Sequence, residues 1–345
     1  MFVARGPCEL PACSRGLPLT DISLTDTSVL TTRAATARKS GAGDARFRYT
    51  ALGAALLVLL IFAGVFVSLI AGSSLAFKAF GFGFITSQAW SPTREVFGAL
   101  GPIYGTIITS VIAMAVALPV GIGVAIFLTE LCPRMLRRPV GIAIELLAGI
   151  PSIIYGIWGL FIFAPWFQEH VQTPVIDSLG DVPVLGTLFG GAPYGIGVFT
   201  AGLILSIMIL PFISAVTRDV LETVPNVLKE ASYGLGSTQW EVMKKVAVPF
   251  SRVGIIGGAM LALGRALGET MAVTFVIGNA HRIEASLFAP GTSISATIAN
   301  EFSEATSDLY VSSLIYLGLV LYAITFIVLV GALLLLRSME RKAGK

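Results

Sequence analysis

Long apolar stretches without any charge dominate the pattern of hydrophobic and polar positions along the chain. Four of them cover residues 49–77, 96–129, 182–217 and 309–336. Each exceeds the roughly 20 residues that an α-helix needs to cross the hydrocarbon core of a bilayer. A helix is the expected form there because lipid offers no partner to an unpaired backbone group. The pattern therefore predicts a membrane protein with several spanning helices.

Six spans are predicted in total, and two of them carry charges. The third contains Glu145, and the fifth contains Arg265 and Glu269. The predicted bounds are 50–71, 103–129, 139–164, 194–217, 253–279 and 310–336. The predicted fold class is therefore an all-α integral membrane protein, with one domain of six transmembrane helices over residues 50–345.

Prolines inside the second, third and fourth spans indicate that these helices are irregular. Pro119, Pro151 and Pro211 each remove a helical hydrogen bond that neighbouring groups must replace. Kinked and closely packed helices suit a protein that changes conformation. Ordinary packing of a rigid bundle is the alternative.

Composition supports the membrane assignment and excludes several classes of site. The 345 residues are 55% hydrophobic and 12% charged, with a mean hydropathy of +0.86. The three cysteines lack the spacing of a metal cluster, and the two histidines lie outside the predicted spans. Residues 1–49 are polar and aperiodic, which predicts a disordered tail. Cys8 and Cys13 in that tail are either incidental or a metal or redox pair.

The distribution of lysine and arginine predicts the orientation. Of the 23 such residues, 19 lie in the tail, the C-terminus and the connections on the same side of the predicted spans. The opposite side has three, and Arg265 lies within a span. Positive residues accumulate on the cytoplasmic side of membrane proteins. We therefore expect both termini to be cytoplasmic, together with the segment 218–252 between spans four and five.

Segment 218–252 predicts two short helices at the cytoplasmic face. The first covers 227–233 and ends at Gly234 or Gly236, where glycine adopts a positive φ at little cost. Thr238 and Glu241 then match a capping box at the start of the second. That second helix is expected to end at Pro249. A compact pair of helices in this place suits docking of a soluble partner.

The same segment carries a motif of transport proteins. Glu230-Ala231-Ser232, followed by Gly236 and Val246-x-Val248-Pro249, resembles the cytoplasmic signature of ABC-importer permeases. The chain departs from the family form by Ser in the third position and by Val in place of Ile and Leu. These changes roughly preserve size and character.

Other stretches resemble the phosphate-specific subfamily of these permeases, and in particular its PstC-type subunits. They are ELLAGIPS at 145–152, LGRALGET at 263–270, IGN at 277–279 and ANEF at 299–302. The similarity covers about residues 50–340, and residues 1–49 lie outside it.

This resemblance implies a type I ABC-importer permease fold in the bacterial plasma (inner) membrane. A second, PstA-like permease would complete the pore, and two copies of an ATP-binding subunit would grip the helix around 230–236. An extracytoplasmic phosphate-binding protein would deliver inorganic phosphate. The chain has no G-x-x-x-x-G-K-[ST] loop, so ATP hydrolysis is expected in the separate subunit. No cofactor and no nucleic-acid partner are expected.

Arg265 and Glu269 are the strongest candidates for a substrate site. Both lie near the middle of the fifth predicted span, where each charge costs about 2.5–3.5 kcal/mol on insertion scales. A spacing of four residues places them on one helix face, where they can partly neutralise each other. We expect the pair to form a transient anion-binding site along the substrate pathway. Thr270 and Thr274 would add hydroxyl groups to this site, and Thr274 is expected on the same helix face as Arg265. The alternative is a salt bridge that holds the bundle together.

Glu145 is a weaker candidate for the substrate pathway. It lies near the cytoplasmic end of the third predicted span, close to a basic connection. Its expected partner is Arg137 or Arg138, and such a pair would have a structural role only.

Other functions remain open from the residues alone. A permease for sulfate or molybdate is distinguished only by the motif at 263–270. A secondary anion transporter also uses broken helices and charges at mid-membrane, but it does not need the 230–249 signature. A membrane-embedded enzyme is disfavoured, since the chain has neither H-E-x-x-H nor G-x-S-x-G.

Overall fold

The computed structural model describes residues 27–180 and 182–342, and this part of the chain is helical without any extended β-strand. A single 3₁₀ turn covers Pro92–Arg94. Three of the longer helices contain π-type turns, which cover Phe127–Leu131, Gly159–Phe163, Gln168–Gln172 and Met243–Ala247. The helices are α1 (Thr27–Gly72), α2 (Ser74–Phe80), α3 (Gly83–Thr86), α4 (Leu100–Leu131), α5 (Arg134–Ala148), α6 (Ser152–Ser178), α7 (Leu185–Phe189), α8 (Val198–Glu222), α9 (Asn226–Gly234), α10 (Gln239–Leu267), α11 (Met271–Thr274), α12 (Ile294–Glu301) and α13 (Asp308–Lys342).

Five helices are long and apolar enough to cross a membrane, namely the second part of α1 (Gly43–Gly72), α4, α8, α10 and most of α13. Helices α5 and α6 together meet the same criteria, but they are bent by 86° at the break between them. The number of candidate spans is therefore six if this pair counts as one. The prediction of an all-α membrane protein is confirmed.

The third predicted span, 139–164, is wrong in its course because the chain breaks at Gly149, Ile150 and Pro151. Proline disfavours the helical conformation for the residue before it and has no N–H to donate. Helix α5 therefore ends at Ala148, and α6 begins at Ser152 in a different direction.

Helix α1 begins earlier than the apolar pattern predicts. Residues 27–49, expected as part of a disordered tail, form its first turns. This stretch has no proline and several alanines and arginines, which favour a helix. Residues 1–26, with Cys8 and Cys13, lie outside the described residues. Of the described residues, those up to Gly64 form one compact unit and those from Val65 onward form the other.

Helix α8 is the centre of the second unit. In the most apolar 18-residue stretch of α8, 67% of the residues are buried, whereas in that of α13 only 11% are buried. It packs along α4, and glycines allow the close approach: a Cβ at Gly202 would lie 2.7 Å from Ile112 Cγ2 of α4. The apolar side chains that remain exposed on α13 suit contact with lipid.

At the end of the bundle away from α9, a polar cluster joins three parts of the second unit. Glu301, the last residue of α12, accepts hydrogen bonds from Trp90 Nε1 at 2.8 Å and from the Tyr310 hydroxyl at 2.6 Å. The His281 ring stacks on Trp90 with centroids 4.9 Å apart, and its Nε2 lies 3.2 Å from Glu301 Oε1. Burial lowers the pKa of His281 to about 4 and raises the pKa of Glu301.

We predict that His281 makes the stability of the protein depend on pH. An unfolded histidine has a pKa of about 6.5, so between pH 6.5 and pH 4 the unfolded chain binds a proton that the folded chain does not. Relative to His281→Asn, the wild-type protein should lose stability as pH falls through that window, by at most about 1.4 kcal/mol per pH unit. Above pH 7 the difference should be constant.

Thermal unfolding of the purified protein in detergent between pH 7.5 and pH 4.5 measures this difference. His170→Asn is the matched control because the His170 ring is exposed. A wild-type-minus-His281→Asn difference that does not change with pH would contradict the prediction.

Candidate functional site

The fifth predicted span, 253–279, is interrupted in the middle of the motif LGRALGET. Helix α10 ends at Leu267, and Gly268 has φ −93° and ψ 2°, outside the helical range. Glycine costs about 1 kcal/mol relative to alanine inside a helix, so it is a favourable place for the helix to end. The chain resumes as the single turn α11. The prediction of one continuous helix here is wrong.

Arg265 and Glu269 do not form the salt bridge that was the alternative to a substrate site. Arg265 is exposed in the last turn of α10, where a positive charge is favourable next to the unpaired carbonyl groups. Glu269 lies between the two helices, and its Oε1 accepts a hydrogen bond from the backbone N–H of Ala272 at 3.3 Å. Each charge thus interacts with a helix end and remains available to a ligand.

Thr274 does not lie where a continuous helix would place it, and both threonine hydroxyls lie close to backbone carbonyl groups. Thr274 lies in α11 and not on a continuation of α10, so it does not share a helix face with Arg265. Its hydroxyl donates to the carbonyl of Thr270 at 2.7 Å. The Thr270 hydroxyl lies 3.5 Å from the carbonyl of Gly268. The Thr274 proton is therefore used within the chain, and its oxygen can act only as an acceptor toward a ligand.

The breaks in the third and fifth predicted spans are neighbours in space. The first turn of α6 packs against α11, and a Cβ at Gly156 would lie 3.0 Å from the carbonyl oxygen of Met271. The Tyr155 hydroxyl donates to the carbonyl of Leu147 at 2.9 Å, across the break between α5 and α6. Both motifs of the phosphate-specific subfamily, 145–152 and 263–270, thus contain a helix break.

Glu145 pairs with Arg218 of α8, and the expectation of Arg137 or Arg138 is wrong. Arg218 Nη2 lies 2.8 Å from Glu145 Oε1, and Gly141 leaves room for the guanidinium group. Arg137 instead donates to the carbonyl of Thr129 at the end of α4. Arg137 and Arg138 line an open cavity beside the pair of Glu145 with Arg218. Neither Arg265 nor Glu269 is among the residues that line this cavity. Glu145 therefore fastens α5 to α8.

The segment between α8 and α10 agrees closely with its prediction. Helix α9 ends at Gly234, and Gly236 has a φ of +84°. The capping box is present: Thr238 Oγ1 accepts from the Glu241 N–H, and Glu241 Oε2 accepts from the Thr238 N–H at 3.0 Å.

Pro249 does not end the second helix, which is a correction to the prediction. Helix α10 runs without interruption from Gln239 to Leu267. Residues Met243–Ala247 form a π-type turn, and Pro249 occupies the first turn of the α-helical part that follows. The π-type turn changes the hydrogen-bond spacing from four residues to five just before the proline, and the helix continues past it. The segment is therefore mechanically continuous with the fifth span.

The outer surface of this segment is exposed and partly apolar. Leu235 is 88% exposed, and Val227 and Trp240 are more than half exposed. Exposed contiguous apolar surface typically marks an interaction site. Of the predicted coupling residues, Glu230, Ala231, Gly236 and Pro249 are exposed, and Ser232, Val246 and Val248 are half-buried.

Sequence reasoning missed an ion pair beneath this surface. Lys229 Nζ of α9 lies 2.6 Å from Glu130 Oε1 at the end of α4. The two residues are 99 positions apart, and no local pattern predicts such a pair. No group of three or more His, Cys, Asp or Glu side chains in the described part of the chain could hold a metal ion.

Comparisons with known proteins agree on one family. Residues 117–341 match the family described as "Binding-protein-dependent transport system inner membrane component". A "Phosphate transport system permease protein PstC" of Mesorhizobium japonicum is 60% identical, over 92% of this chain and 97% of its own length. A protein of the same name from Pasteurella multocida is 58% identical, over 87% and 93%. These relatives are permease proteins, so the chain is a transport component and not an enzyme.

A solved structure supports the fold. A bacterial ABC transporter involved in the import of the acidic polysaccharide alginate contains a chain with a TM-score of 0.55 and 17% identity, over 83% of this chain and 95% of that one. The chain belongs to the family of binding-protein-dependent transport system inner membrane components, within its PstC group of permease proteins.

Proposed function

We propose that this chain is the subunit that passes inorganic phosphate through the membrane in an ATP-driven importer. The observation that carries the proposal is the 60% identity to a phosphate transport permease over almost the whole length of both chains. The two subfamily motifs at adjacent helix breaks support it, since transporters bind substrate where spanning helices are interrupted.

Import of this kind requires several partners. A second, PstA-like permease forms the pore with this chain, and two ATP-binding subunits supply the energy. A phosphate-binding protein on the opposite side delivers the substrate. The protein lies in the bacterial inner membrane. Lysine and arginine are in excess in both termini and in the connections on the same side, which supports a cytoplasmic location for the termini and for α9.

The ATP-binding subunit docks on α9 and the turn that follows it. Glu230, Ala231 and Ser232 in α9 and Gly236 beyond it carry the family signature, and Val246, Val248 and Pro249 complete it in α10. The exposed apolar side chains of this surface suit burial against a folded partner. The continuous helix α10 then links the docked subunit to the fifth span.

Arg265 is the anion ligand of the pathway, and Glu269 distinguishes between anions. A guanidinium group stays charged at physiological pH and donates two parallel hydrogen bonds to a phosphate. At pH 7 phosphate keeps at least one P–OH proton, whereas sulfate has none. An ionised carboxylate only accepts hydrogen bonds, so Glu269 would bind the phosphate proton and repel sulfate. Glu145 contributes indirectly by holding α5 beside α8.

We predict that Gly236→Pro detaches the ATP-binding subunit while the protein remains in the membrane. The native φ of +84° is inaccessible to proline, whose ring fixes φ near −65°. Co-purification of the ATP-binding subunit in mild detergent, together with phosphate uptake, measures the effect. Gly234→Ala is the matched control because a Cβ at Gly234 meets no other atom. Normal co-purification of Gly236→Pro would refute this docking surface.

We predict that Arg265→Gln lowers phosphate uptake about tenfold or more, without loss of assembly. Hydrogen bonds to charged groups contribute about 1.5–3 kcal/mol, and glutamine has no charge to offer. Uptake in cells that lack the native chain measures the loss. Arg337→Gln, which removes another exposed arginine from the chain, is the control.

We predict that Glu269→Gln slows phosphate transport and weakens discrimination against sulfate. The amide keeps an acceptor, but it adds donors and removes the repulsion of a fully deprotonated anion. Anion flux through the reconstituted complex without the binding protein isolates selectivity within the membrane. If this variant moves phosphate at the wild-type rate and still excludes sulfate, Glu269 is not a filter.

A further inference from the structure

Three helix ends meet in a buried apolar cluster close to α9. Leu221 and Val224 at the end of α8 pack with Met243 and Ala247 near the start of α10, and Ala125 at the end of α4 completes this buried cluster. Helix α9 contributes no side chain to this cluster and packs beside it, against the start of α10.

The three spans differ in how they are connected to α9. Helix α8 reaches it through the short link 223–225, and α10 follows it after 235–238. Helix α4 is remote in sequence, so it responds to α9 only through non-covalent contacts. The polar contact between them in the described part of the chain is the pair of Lys229 with Glu130.

This ion pair is short and largely shielded from solvent. Its side chains are 15% and 19% exposed, whereas those of the pair Lys245–Glu241 on one face of α10 are 68% and 41% exposed. Exposed pairs contribute little, but the loss of one partner from a shielded pair leaves an uncompensated charge. Lys229 points inward from α9, while the neighbouring Glu230 is exposed on its outer side.

Helix α4 carries contacts at its other end that respond to its position. Thr106 Oγ1 accepts a hydrogen bond from the backbone N–H of Ile294 at 2.9 Å, where α12 begins. A Cβ at Gly105 would lie 1.9 Å from the carbonyl oxygen of Thr292, so the two backbones are in close contact. A displacement of α4 along its axis would therefore also displace the backbone of the segment 291–294.

We propose that Lys229 and Glu130 are positioning residues that transmit movement of the ATP-binding subunit from α9 to α4. The proposal rests on the proposed docking surface of α9, which lies on the opposite face of the same helix. The pair makes α4 follow α9 during the ATP cycle, and α4 carries that movement to the contacts of Gly105 and Thr106. Without it, ATP hydrolysis would continue but would move less phosphate.

The test uses the whole complex with its partner permease, ATP-binding subunits and phosphate-binding protein, reconstituted in lipid vesicles. The variants are Lys229→Gln, Glu130→Gln and the exchange Lys229→Glu with Glu130→Lys. Arg282→Gln, which removes an exposed ion pair with Glu284 elsewhere in the chain, is the control. The measured quantity is the amount of phosphate transported per ATP hydrolysed, alongside co-purification of the ATP-binding subunit.

We expect both single variants to retain the ATP-binding subunit and to lose about fivefold in phosphate transported per ATP, within the range of coupling measured for contacting pairs. The exchange should restore most of the ratio, and the control should match the wild type. Glu130→Gln keeps the size and an acceptor, so it should assemble even if the lysine variant does not.

Several results would overturn the proposal. An unchanged ratio in both single variants would show that α4 does not depend on the pair. Loss of the ATP-binding subunit from the single variants would place Lys229 in docking and not in transmission. A low ratio that the exchange fails to restore, or that the control shares, would rule out the ion pair as its cause. Failure of the docking surface itself is recognised separately, by normal co-purification of Gly236→Pro.

Discussion

In the hydrocarbon core of a membrane, each backbone N–H and C=O must find its partner inside the protein. An uninterrupted helix meets this requirement by itself, but a broken one does not. The chain has breaks at 149–151 and 268–270, and side chains close to each break satisfy freed backbone groups. Tyr155 donates to the carbonyl of Leu147, and Glu269 accepts from the N–H of Ala272. The irregular backbone is thus supported by the residues of the two subfamily motifs and their neighbours.

Because of this constraint, the two charged residues of the fifth span interact with helix ends and not with each other. On a continuous helix Arg265 and Glu269 would largely cancel each other. At a break, each lies at the end of a separate helix, where the backbone favours its sign of charge. The protein thereby keeps a positive and a negative group close in sequence, and the two groups are not paired with each other. That arrangement suits a pathway for an anion that carries a proton.

The sequence predicted those features that depend on local patterns. Apolar length revealed the spanning helices, and the turn at Gly236 and the capping box at Thr238 followed from the preferences of single residues. It failed where geometry depends on remote partners. The partner of Glu145 is Arg218, 73 positions away, and that of Lys229 is Glu130. The prediction failed at Pro249 because a π-type turn precedes the proline and the helix continues past it. Gly268 ends its helix although glycines elsewhere in the same helix do not, so the residue type alone does not predict the break.

The continuity of α10 from Gln239 to Leu267 sets the scale of the motion that transport needs. From Gln239 to Arg265 a helix with a rise of 1.5 Å per residue is about 39 Å long. If such a rod pivots by about 5° at one end, the other end sweeps about 3 Å. That stroke equals the length of a hydrogen bond between a guanidinium group and an oxyanion. If Arg265 binds the anion as proposed, a small tilt of α10 is therefore enough to form or to break that contact.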